Sequence, residues 1–204
     1  MIKNIIFDMG NVLLRFDPWL FMERLGVNEE DKLLLMREVF KSLEWAQMDR
    51  GTVTDEEACV TMCRRLPERL HGIVEKLVTF WDRPILEIEG SFELVKELKE
   101  LGYGIYLLSN ASLRQHEYWP RVPASRYFDG TLISADVKIM KPQPEFYRLF
   151  FERFALKPEE CFFIDDNNYN IEAALLSGMQ GTVFTEDMRK VRTELRQAGV
   201  PVTP

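Results

Sequence analysis

Cysteine and histidine are scarce, with three cysteines (Cys59, Cys63, Cys161) and two histidines (His71, His116) in 204 residues. An odd number of thiols makes no disulfide framework and fits a reducing compartment. Cys59 and Cys63 would share a helical face, yet no histidine stands at ligand spacing. A zinc site and a Cys/His nucleophile are therefore not expected, and the thiols should be buried and inert. No apolar run approaches the roughly 20 residues of a membrane helix. The opening residues, Met1 to Asp8, lack a long apolar segment with a small-residue cleavage site, so the expectation is a cytoplasmic protein without a membrane partner. Basic charge is short too: 26 Lys+Arg against 33 Asp+Glu leaves a net charge of −7. Nucleic-acid binding needs a basic stripe that releases counterions, so no nucleic-acid partner is expected. An anionic small molecule stays open, because a metal ion can invert a local field.

Short apolar runs are present, and each stops at polar residues. Asn4 to Phe7 is followed by Asp8, and Gly104 to Leu108 by Ser109-Asn110. Gly130 to Ile133 ends at Ser134, Cys161 to Ile164 at Asp165-Asp166, and Gly181 to Phe184 at Thr185. Runs this short, without alternation, suit strands buried on both faces of a parallel sheet. Helical spacing fills the intervals Ser91 to Leu101, Glu145 to Ala155 and Asn170 to Leu176. Strand and helix in alternation predict an α/β fold, a Rossmann-like parallel sheet with helices on both faces. Residues 16–90 break the rhythm with helix-like segments at Pro18 to Leu25, Glu29 to Leu43, Asp55 to Leu66 and Glu68 to Trp81. They read as a small helical cap inserted after the first strand of a core formed by residues 1–15 and 91–204. The tail from Gln197 to Pro204 is expected to fray.

In an open parallel sheet, functional groups gather beyond the carboxyl ends of the strands. Here those positions hold Asp8, Ser109 with Asn110, Lys141 before Pro142, and Asp165 with Asp166. Carboxylates that close need a cation, and hard oxygen ligands suit Mg²⁺. A metal ion with a lysine makes a bay for a phosphate, and a carboxylate facing it can act as nucleophile.

The segments Phe7 to Leu13, Leu107-Leu108-Ser109-Asn110, Lys141-Pro142 and Phe163 to Ala174 resemble, in order, the motifs of the haloacid dehalogenase superfamily. The helical insertion is similar to that family's type-one cap. The Asp-x-Gly-Asn-Val opening resembles sugar-phosphate phosphatases of the α-D-glucose-1-phosphate phosphatase type. This resemblance implies a Mg²⁺-dependent phosphatase of a small phosphorylated metabolite, a sugar phosphate among the candidates. It implies Asp8 as nucleophile and metal ligand, Gly10 offering its carbonyl to the metal, and Asp166 binding the metal with Asp165 as a water-mediated or second ligand. Ser109 and the Asn110 N–H would hold phosphoryl oxygens, and Lys141 would bridge nucleophile and phosphate. A monomer or weak homodimer is expected.

One departure stands out. The family's commonest first motif is Asp-x-Asp, whose second aspartate protonates the leaving alcohol; Gly10 occupies that position. Asp17, the nearest acid after the motif, or a metal-bound water is the expected substitute, and leaving groups that need little protonation should be favoured. Two other functions stay open: a metal-independent 2-haloacid dehalogenase, for which Arg15 would serve, and a non-catalytic binder of phosphorylated ligands. Asp166 or Asn168 could also cap the following helix, and Lys141 or Ser109-Asn110 could be plain turn residues. Trp45, Trp81 and Trp119 are expected to pack helices, Arg50 to lie on a surface loop, and His116 to point away from the cleft.

Overall fold

In the computed structural model, which describes residues 1–204, the apolar runs form five strands. They are β1 (Asn4–Phe7), β2 (Gly104–Ser109), β3 (Gly130–Ile133), β4 (Cys161–Asp165) and β5 (Gln180–Val183). All pairings are parallel, in the order β3-β2-β1-β4-β5. Side chains alternate across the sheet, so Ile5 and Phe7 enter one apolar layer and Ile6 the other. Both faces are covered, which is why these strands carry no polar alternation.

The first connection carries α1 (Pro18–Arg24), α2 (Glu29–Leu35), α3 (Leu43–Arg50), α4 (Asp55–Cys63) and α5 (His71–Thr79). Later connections carry α6 (Ser91–Glu100), α7 (Gln115–Tyr118), α8 (Ser134–Val137), α9 (Pro144–Phe154) and α10 (Asn168–Leu176), and α11 (Met188–Gln197) follows β5. Leu94, Val95 and Leu98 of α6 pack with Val191 and Leu195 of α11 on the Phe7 face. Phe146 and Phe150 of α9 pack with Ile171 and Ala174 of α10 on the Ile6 face. No helix is long and apolar enough to cross a membrane.

Helices α1 to α5 have a core of their own, built on Met22, Leu35, Met62 and Val74, separate from the two sheet layers. Thr54 and Glu57 close a reciprocal capping box at the start of α4. The connections to this helical layer run side by side: Ile88 N–H donates to Leu13 O at 2.9 Å and Arg15 N–H to Leu86 O at 2.8 Å.

Three expectations need correction. The single helix expected over Glu29 to Leu43 is interrupted: α2 widens into a π turn at Met36–Phe40, and Ser42 starts α3 by accepting from Trp45 N–H. A hydroxyl that satisfies an orphan N–H restarts a helix where apolar spacing alone shows no break. The C-terminal tail does not fray. Val200 and Val202 are buried, and Thr203 N–H donates to Glu97 Oε1 at 2.6 Å. Cys59 and Cys63 are half-buried at the margin of the helical layer, and only Cys161 is fully buried. Burial pushes the Cys59 and Cys161 thiols up to about 12, which keeps them protonated.

Candidate active site

Strand register builds the site. Phe7 pairs with Ile164, so Asp8 stands level with Asp165, and Asp8 N–H extends the ladder by donating to Ile164 O at 2.9 Å. The sequential order of the parallel strands switches sides between β1 and β4, where such folds open a crevice. Lys141 reaches this edge from the loop before α9. Its Nζ donates to Asp165 Oδ2 at 2.6 Å and Leu108 O at 2.9 Å, and lies 2.9 Å from Asp8 Oδ1. Asn110 holds that loop: its side chain donates to Lys141 O at 2.9 Å and accepts from Lys141 N–H at 2.8 Å. Ser109, the last residue of β2, is buried, whereas Asn110, Ala111 and Ser112 face the cavity.

Asp165 is fully buried, accepting from Asn167 N–H at 2.8 Å and from the Asn170 side chain at 3.0 Å. Asp166 is exposed and accepts from Asn11 Nδ2 at 3.2 Å, which ties the loop after β1 to the end of β4. The start of α10 is capped by Asn167, not by Asp166 or Asn168. Asp8, Asp165 and Asp166 each offer an oxygen within 4.8 Å of the others.

Burial pushes the Asp8 carboxyl up to about 6; the Asp165 and Asp166 charges add to this, and Lys141 opposes it. Burial, then the Asp165 charge, also raises Asp166. For Lys141 burial works downward, but the Asp165 and Asp8 charges outweigh it and hold the ammonium charged. Three carboxylates against one ammonium leave an excess of negative charge. Asp8 Oδ1 is shielded from water and, despite its closeness to Lys141, receives no aligned hydrogen bond. A hard divalent cation such as Mg²⁺ fits this oxygen set and relieves the repulsion. A side-chain carbon at Gly10 would meet nothing within 4 Å, so position 10 borders open space.

Above these groups lies a cavity of about 180 Å³, walled by Phe16, Trp45, Met48, Trp81 and Tyr118 and by the carboxyl of Asp49. Trp45 and Trp81 line the cleft as well as packing: Trp45 meets the Phe16 ring tilted, at 5.7 Å between centroids, and Trp81 meets it edge-on at 5.1 Å. Trp119 packs on Phe128, and Arg50 is exposed. His116 pairs with Asp136 at 2.8 Å, outside the cavity.

Asp17, the acid expected to substitute, lines a separate depression that shares Asn11 and Asp166 with the cavity. Its Oδ1 accepts from Trp19 N–H at 3.0 Å and Leu20 N–H at 3.1 Å as the cap of α1. Sequence reasoning missed Asp49, in the last turn of α3. Burial, reinforced by the Asp8 charge and opposed by the Ser112 backbone, pushes its carboxyl up to about 8. The one local hint was a helix bounded by Ser42 and Gly51, which places Asp49 at its end.

Over residues 2–178 the sequence matches the haloacid dehalogenase-like hydrolases. The chain belongs to that family. It is 28% identical to a sesquiterpene phosphatase of Aspergillus oryzae, over 96% of this chain and 95% of that protein. A flavin mononucleotide hydrolase of Arabidopsis thaliana is 28% identical, over 98% of this chain and 78% of that one. Among solved structures, a haloacid dehalogenase family enzyme of Bacteroides thetaiotaomicron in complex with magnesium and inorganic phosphate superposes with a TM-score of 0.71. That enzyme is 24% identical, with 94% of this chain and 99% of the other covered. None of these names mentions glucose 1-phosphate, so the finer resemblance to such phosphatases gains no support. As a haloacid dehalogenase-like hydrolase, the chain carries its Asp8-Lys141-Asp165-Asp166 cluster at the carboxyl edge of the family's sheet.

Proposed function

We propose that this hydrolase is a Mg²⁺-dependent phosphatase of a small phosphorylated metabolite, working through an aspartyl-phosphate on Asp8. The carrying observation is the crowding of three carboxylates and one buried lysine at the floor of an aromatic cavity. Asp8, Asp166 and the Gly10 carbonyl would hold the metal, with Asp165 as a further or water-mediated ligand. Bound there, Mg²⁺ neutralises charge on the phosphoryl group. Lys141, the Ser109 hydroxyl and the Asn110 N–H orient the phosphoryl oxygens. An Asp8 carboxylate oxygen attacks phosphorus, and the bond to the leaving oxygen breaks with its electron pair. Water then hydrolyses the acyl phosphate, which returns Asp8 and inorganic phosphate.

The aromatic wall and the names of the relatives support an apolar or flat alcohol portion rather than a bare sugar. A dehalogenase fits less well. Arg15 lies 3.7 Å from Glu186, outside the cavity, and an acidic floor repels a leaving halide. The test is a phosphate-release screen over p-nitrophenyl, sugar, acyl, flavin and prenyl phosphates, with Mg²⁺, with EDTA and with Asp8→Asn. Release that needs Mg²⁺ and Asp8 is expected; EDTA-resistant halide release from 2-haloacids overturns the reading.

A further inference from the structure

Gly10 leaves the phosphoryl side of the cavity without a side chain that can carry a proton, and its surroundings hold open space. Asp8, Asp165 and Asp166 are committed to one another and to Lys141. Asp17 is committed to a helix cap. Asp55, also in the cavity lining, has the Arg114 guanidinium 3.7 Å away. Asp49 alone among the lining carboxylates belongs neither to the acidic floor nor to an ion pair.

Its position is held on both sides. Asp49 O accepts a hydrogen bond from Ser134 Oγ, and the same hydroxyl accepts from Ala111 N–H at 3.0 Å. Gly51, two residues on, turns at φ 73° against Ala135, where a Cβ would clash with Ala135 O. The end of α3 is thus seated on the loops after β2 and β3, which presents its carboxyl to the catalytic edge from the cap side.

We propose that Asp49 is the general acid and base of this hydrolase, delivered by the helical layer in place of a side chain at position 10. In the first step the phosphorus–oxygen bond to the alcohol breaks, its electron pair goes to that oxygen, and the Asp49 carboxylic acid supplies the proton. In the second, the Asp49 carboxylate takes a proton from water as the water oxygen attacks phosphorus, and the bond to Asp8 breaks. Asp49 ends protonated and Asp8 ionised, so both are restored. Burial beside Asp8 favours the protonated starting form. Because the proton donor sits on the helical layer, only a seated layer completes the site.

The inference rests on the phosphatase reading, and the experiment separates the two. First-turnover rates are measured on the full chain with Mg²⁺, for p-nitrophenyl phosphate and for a simple alkyl phosphate, with wild type and Asp49→Asn. A p-nitrophenolate leaving group needs no proton. The variant should therefore form the phospho-enzyme from p-nitrophenyl phosphate within about threefold of wild type, with a burst of one p-nitrophenolate per chain. Its first turnover of the alkyl ester should fall by about 10²–10⁴-fold, the usual worth of a placed proton donor. Equal losses on both esters, or no loss on either, overturn the role of Asp49. Absence of phosphate release by wild type overturns the phosphatase reading instead. Should Asp49→Asn not fold, Asp49→Ser is judged by the same ratio of losses.

Discussion

The Lys141 ammonium and the Asp165 carboxylate meet at 2.6 Å, with side-chain exposures of 1% and 0%. The pair is the buried floor on which Asp8 rests. Truncating the lysine strands two carboxylates without their counter-charge. Removing one partner of a buried pair costs about 3–5 kcal/mol. Lys141→Met should lower unfolding stability by that amount at pH 7 in urea titrations, and a loss below about 1 kcal/mol would contradict the geometry.

Replacing Asp8 should separate activity from stability. Asp8→Asn removes the proposed nucleophile, and turnover should fall by about 10³-fold or more. It also removes a carboxylate whose ionisation burial opposes, with a pKa of about 6. The metal-free variant should therefore melt at a higher temperature than wild type at pH 8. A lower melting temperature there would show that the Asp8 charge is stabilising.

Metal dependence should grow with pH. Asp8 at about 6 and Asp49 at about 8 are raised above the ordinary carboxylate value. In the unfolded chain both ionise near pH 4, so from about pH 4 to 8 the folded state binds more protons. Stability of the metal-free protein must fall as pH rises through that window. Acids held low by arginines, such as Glu38 and Glu44, act below it. Mg²⁺ binds the ionised form, so its shift in melting temperature should be larger at pH 8 than at pH 5. Thermal scans with and without Mg²⁺ check this, and a metal-free melting temperature that rises from pH 5 to 8 goes against it.

Two glycines make a controlled pair. Gly26 and Gly51 both have positive φ, 69° and 73°, but a Cβ at Gly26 meets nothing within 4 Å. Either alanine variant should lose about 1–2 kcal/mol to left-handed strain. Only Gly51→Ala, driven against Ala135 O, should also lift the end of α3 and reduce turnover. Steady-state rates on an alkyl phosphate distinguish the two, and equal activities would mean the seat of α3 is immaterial.

The acidic edge of the sheet was legible because its signals are local. A buried strand announces itself as a short apolar run, and the residue after it reaches the sheet edge by register alone; hence Asp8, Asn110 and Asp165 could be placed from the chain. The helical layer was legible in outline only. Apolar spacing located helical stretches, but the break at Ser42 depends on one hydroxyl bond, and the docking of Val200 and Val202 depends on a surface made by distant segments. Asp17 and Asp49 show the limit most clearly. Nearness in sequence favoured Asp17, whose carboxylate closes a helix end, while Asp49 enters the cavity only because Ser134 and Ala135 receive the end of α3. The strands and the acidic residues that follow them are read from local composition, whereas the strand order and the seat of Lys141 on Asn110 and Asp165 are tertiary. Which acids line the cavity is decided by how one layer seats on another, and those contacts join residues too far apart for any local pattern to encode.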